Sequence, residues 1–141
     1  MLENEGVKFD GGKVRLDLVD PGFILGIADV LTYGAKKYDA RNWEKGMEYG
    51  RVYRAALNHL LLWWMGRELD SESGLHHLHH AACCLMFLDY YVNQGRYEAY
   101  DDRPIHQRNR EIKTQGTKGK DKGTAAGFSG EDRKATSPTV S

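Results

Sequence analysis

The stretch from Tyr49 to Gly95 reads YGRVYRAALNHLLLWWMGRELDSESGLHHLHHAACCLMFLDYYVNQG, and its punctuation decides the fold. Val52, Ala56, His59, Leu60 and Trp63 recur at spacings of three and four, which places them on one face of a helix expected over 49–66 and stopped by Gly66. A polar turn carrying Glu68, Asp70 and Glu72 follows. A second helix is then expected from near Ser73 to about Asn93, closed by Gly95, because glycine readily takes the left-handed conformation that ends helices. So short a connection makes the two helices antiparallel neighbours. Both are apolar over more than half their circumference, a pattern that an oligomeric interface would satisfy.

Upstream, Asp20-Pro21 announces another helix: the carboxylate can accept from free N–H groups, and proline suits the first helical position. Phe23, Ile27, Val30, Leu31, Gly34 and Tyr38 then mark an apolar stripe, so this helix is expected over 21–38. Residues 1–19 lack periodicity and read as an ordered arm around Lys8-Phe9-Asp10-Gly11-Gly12-Lys13. Residues 39–50 form a connection holding Asn42-Trp43. From His106 the composition turns to Lys, Gly, Thr, Ser, Gln and Arg, too poor in apolar surface to offset the entropy of ordering. The expectation is an all-α small helical bundle over residues 1–105 and a disordered polar tail over 106–141.

The chain's 141 residues suit one core. Its 20 basic and 20 acidic residues give no bulk charge to hold a nucleic acid polymer, so any anion must be caught locally. Cys83 and Cys84 are adjacent on a helix and diverge too far for a disulfide, which points to a reducing, cytoplasmic setting. Apolar runs such as Leu60 to Met65 are too short to span a membrane.

Five of the six histidines lie between positions 59 and 80. His77 and His80 stand three apart and share a helix face. With the helices paired, His59 approaches them, and Glu68, Asp70 and Glu72 sit on the turn between. Neutral nitrogens and anionic oxygens together suit a divalent cation, which points to metal-assisted hydrolysis. His76 and His79 face another way and read as ordinary core or surface residues without a ligand role. Lys8 and Lys13 beside the glycine pair, Lys36 and Lys37 at a helix end, and Arg54 are candidate phosphate contacts. Trp43, with Tyr33 or Tyr38, offers a surface for stacking on a base, and Asn42 offers an amide to read its edge.

Four motifs in series carry a resemblance: Lys8 to Lys13; Val30 to Tyr38 with Asn42-Trp43; Ala56-Leu57-Asn58-His59-Leu60; and Gly66 to Leu75 with His77 and His80. Together, over roughly residues 6–92, the sequence resembles the phage-encoded dATP/dGTP diphosphohydrolase family. The resemblance implies a MazG-like, all-α nucleotide pyrophosphatase that splits dGTP or dATP into the monophosphate and pyrophosphate. It further implies a need for Mg²⁺ or Mn²⁺, a dimer or tetramer, and residence in the host cytoplasm if phage-encoded. Transferred to this chain, the metal would be held by His59, Asp70, Glu72, His77 and His80. The catalytic carboxylates would be Glu68, Asp70 and Glu72, and Lys8, Asp10, Lys13, Lys37, Asn42 and Trp43 would contact substrate. Two departures stand out. The Glu-x-x-Glu and Glu-x-x-Asp motifs of the wider MazG-like group are absent from the two long helices, where His77-x-x-His80 stands instead, and Asn58 replaces an expected arginine.

Two other readings compete. An HD-type phosphohydrolase also uses histidine and aspartate on helices, but needs an adjacent His-Asp pair, which the chain lacks. A non-enzymatic helical module would use its histidines for a structural metal or for packing.

Overall fold

In the computed structural model, which describes residues 5–118, four α-helices follow one another without a strand among the described residues: α1 Pro21–Lys37, α2 Tyr49–Trp64, α3 His77–Gln94 and α4 Pro104–Lys118. None is long and apolar enough to cross a membrane. The side chain of Asp20 accepts from the Phe23 amide at 2.9 Å and Pro21 opens α1, as the sequence anticipates. Of the expected stripe, Val30 is buried, whereas Phe23 and Tyr38 are exposed.

Tyr49 at the start of α2 stacks on Tyr91 near the end of α3, and His59 late in α2 meets His77 at the start of α3. The two helices are therefore antiparallel. One end of this hairpin is an aromatic core of Tyr49, Val52, Tyr91 and Tyr97, with Trp43, Phe87 and Tyr90 packed against it. The hydroxyl of Tyr91 donates to the carbonyl of Trp43, so the most enclosed phenol of the core has a partner for its one polar atom.

The first helix packs against the opening half of α3. A Cβ on Gly26 would stand 2.2 Å from His79 Cε1, closer than any real contact, so a glycine there lets the two backbones approach. The Cys83 thiol lies 3.5 Å from the carbonyl of Ile27. Both cysteines are free, and burial pushes the thiols of Cys83 and Cys84 up to about 12 and about 11.

Two features depart from the sequence expectation, and a third is a helix start that the sequence leaves open. Helix α3 begins at His77, not near Ser73, because residues 68–76 close a turn of their own. In it the Asp70 amide donates to Leu75 O at 2.8 Å, Gly74 donates to Asp70 O at 2.8 Å, and His77 donates to Glu68 O at 2.9 Å. The start of α2 lacks a local cap: Glu48 makes no capping bond, and Asp102 Oδ1 instead accepts from the Gly50 amide at 2.7 Å. Lastly, α4 occupies residues 104–118, where composition suggests disorder from 106. Its Gln, Arg, Glu and Lys residues are good helix formers even without a core to join. Arg110 ties it down by donating to the carbonyls of Glu98 and Asp101 at 3.2 and 3.0 Å. Asp101, which is buried, accepts from the Arg103 guanidinium at 2.9 and 2.7 Å, and that pairing holds its carboxyl down at about 2. The rest of the expected tail, residues 119–141, lies outside the described residues.

Candidate metal centre

At the end of the hairpin away from the aromatic core, α2 supplies His59, α3 supplies His77 and His80, and the turn between them supplies Asp70 and Ser73. Donor atoms of His59, Asp70 and His77 all lie within 4.8 Å of one another. His59 Nδ1 and His77 Nδ1 are 2.8 Å apart, and His77 is almost wholly buried. In a neutral pair at that distance one ring carries the proton and the other presents its lone pair. Nitrogens bound to one ion at about 2.0–2.1 Å stand roughly 3 Å apart at neighbouring positions, so little movement separates this contact from coordination.

Asp70 is held by its own turn. Its Oδ2 accepts from the Ser73 amide at 2.9 Å and the Ser73 hydroxyl at 2.8 Å, while Oδ1 makes no hydrogen bond among the described residues. Burial works against ionisation here, but the bonds from Ser73 and the nearby imidazoles of His80 and His59 outweigh it and keep the carboxyl below its ordinary value. For His59 burial is the main cause of a lowered pKa, reinforced by His80 and His77; burial also lowers His80. The cluster thus holds an ionised carboxylate beside imidazoles biased toward neutrality, the protonation states a cation requires.

Not every expected residue is present. His80 lies beside the three donors: its ring stacks on His59 at 4.5 Å and 10°, and its Nε2 is 3.8 Å from Asp70 Oδ2 and 2.7 Å from Ser73 Oγ. The Glu68 side chain is exposed, 3.7 Å from His76 Nε2, outside the donor group. Glu72 turns to α1, where it pairs with Lys37 and accepts from the Tyr33 hydroxyl at 3.3 Å. Lys37 therefore does reach the rim of the site, through Glu72. A cleft of about 370 Å³ opens there, lined by Asp29, Thr32, Tyr33, Lys36, Ser73 and Leu75.

Lys8, Asp10 and Lys13 sit on the exposed arm, and no hydrogen bond or ion pair among the described residues joins them to the cluster. Trp43 is committed to the core: its ring stacks on Phe87 at 4.9 Å and meets Tyr90 edge-on at 4.8 Å. Those partners stand ten and thirteen residues beyond His77 on α3, or roughly 15–20 Å along the helix. Trp43 and its neighbour Asn42 are thus remote from the histidines. A cavity of about 610 Å³ also lies at that far end, between α3 and α4, where Arg103 and Asp101 neutralise each other. Ser73 is the residue that sequence reasoning did not place in the site. The sequence reads it only as the approximate start of a helix, although Asp70 and Ser73 three apart are also the signature of a turn closed by its own side chains.

The family described as "dATP/dGTP diphosphohydrolase, N-terminal" matches residues 3–103. A protein of Salmonella phage PMBT28 named "dATP/dGTP diphosphohydrolase" is 42% identical over 88 residues, which cover 62% of this chain and 30% of the relative. The chain thus aligns with under a third of that relative's length. No solved structure matches.

Proposed function

The chain belongs to the dATP/dGTP diphosphohydrolase, N-terminal family, and from that premise we propose that it hydrolyses purine deoxynucleoside triphosphates, dGTP, dATP or both, to the monophosphate and pyrophosphate. One observation carries the chemistry: an aspartate held in its ionised form and two histidines, of which His59 is biased toward neutrality by burial, converge within 4.8 Å. A divalent cation, Mg²⁺ or Mn²⁺, would be held by His59, Asp70 and His77. When bound, such an ion polarises phosphoryl oxygens and acidifies water. The chain's own groups supply the rest. Lys36 and Lys37 at the cleft rim attract the phosphates, and Glu72 holds Lys37 there until phosphate oxygens replace it. Lys8, Asp10 and Lys13 contact substrate once the arm folds over the cleft, from the same chain or another copy.

We place the protein in the cytoplasm, in keeping with its free cysteines. We also assign it a homo-oligomer. Tyr53, Leu57, Leu61 and Trp64 recur at spacings of four, four and three along α2 and are all exposed, Trp64 by 80%. A second copy covering that stripe would bury it. Sedimentation of the purified chain is expected to give a multiple of its 16.0 kDa mass, and a single-chain mass at micromolar concentration would remove the assignment.

The deciding assay incubates the protein with each nucleoside triphosphate and Mg²⁺ or Mn²⁺ and identifies the products. Pyrophosphate and a purine deoxynucleoside monophosphate in equal amounts are expected. Stepwise orthophosphate release, or no turnover of any triphosphate, overturns the proposal.

A further inference from the structure

A serine hydroxyl has one proton to give and two lone pairs to offer. In Ser73 all three are engaged. Its Oγ stands 2.8 Å from Asp70 Oδ2 and 2.7 Å from His80 Nε2, and it accepts from the Leu75 amide at 3.2 Å. An ionised carboxylate has no proton to contribute, so two oxygens at 2.8 Å must have the serine's proton between them; without it, lone pairs would face each other. That proton is then spent, and the remaining short contact must be supplied by the imidazole.

We infer that Ser73 is a positioning residue that fixes His80 as its Nε2–H tautomer, leaving Nδ1 as the nitrogen free to accept a proton or bind a cation. The stacking of His80 on His59 at 4.5 Å fixes the plane of the same ring, so orientation and tautomer are set by different neighbours. A hydroxyl bridging a carboxylate and an imidazole performs the task usually given to an outer partner of a metal-site histidine. The consequence of this assignment for turnover rests on the hydrolase reading above; the tautomer itself does not.

The test uses the full chain with ¹⁵N-labelled histidine, free of divalent ions, at a pH above the ordinary histidine range. The His80 signals are assigned by their loss in His80→Gln. The unmodified protein is expected to show His80 with a protonated Nε2 and a bare Nδ1. Ser73→Ala should give a mixture of tautomers, and Ser73→Thr, which keeps the hydroxyl, should restore the single form. In the release of pyrophosphate, Ser73→Ala should lower kcat/KM about 10- to 100-fold, with recovery in Ser73→Thr. An Nδ1–H tautomer in the unmodified chain overturns the inference without recourse to any variant, and so does an unchanged tautomer in folded Ser73→Ala. If the tautomer results hold but no triphosphate is cleaved, the hydrolase reading fails and the role of Ser73 stands.

Discussion

Asp70→Asn is expected to bring pyrophosphate release down to the uncatalysed background while the helical hairpin stays folded. The substitution is nearly isosteric, and the amide oxygen can still accept from the Ser73 amide and hydroxyl, so the turn survives. Only the negative charge is lost. Of the three donors within 4.8 Å, Asp70 is the one carboxylate, and two imidazoles alone make a far poorer site for a hard cation. The fold should lose about 1 kcal/mol, the difference between hydrogen bonds to a charged and to a neutral acceptor. Product formation, circular dichroism and Mn²⁺ affinity measured on one preparation separate these effects. Near-normal turnover would remove Asp70 from the centre.

The second large effect concerns the fold. Tyr91→Ala should destabilise the chain by about 3–5 kcal/mol, the usual cost of truncating a buried aromatic to alanine. Tyr91 is 1% exposed, stacks on Tyr49 and packs against Tyr97, so its removal empties the centre of the aromatic end. Against a domain's usual total of about 5–15 kcal/mol, this is a large fraction. Tyr91→Phe keeps the ring but strands the Trp43 carbonyl, and should cost less, about 1–3 kcal/mol. Urea midpoints measure both; a loss under about 1 kcal/mol for the alanine variant would mean that the core lies elsewhere.

Much of this arrangement can be read in advance from local signals. Asp20-Pro21 opens α1 and Gly95 closes α3 because capping depends on a few adjacent residues. The meeting of His59 with His77 is also legible, since helix periodicity and a short connection determine which faces oppose. What escapes is decided by distant partners. Nothing near Trp43 tells whether its ring is to stack on a base or on Phe87 and Tyr90, more than forty residues later. Glu72 looks like one more carboxylate for the cation until Lys37 on α1 claims it. The start of α3 is missed because Asp70 directs its acceptors into its own turn instead of onto a helix terminus. In α4, helix propensity outweighs a composition that offers nothing to bury.

The cap that Asp102 places on Gly50 spans 52 residues. As the chain leaves the ribosome, α2 and α3 can already pair and draw the histidines together, but the first turn of α2 stays ragged until residue 102 emerges and folds back onto it. The histidine end of the molecule is thus assembled from nearer neighbours than the aromatic end, and a nascent chain gathers its candidate cation donors before its foundations are finished.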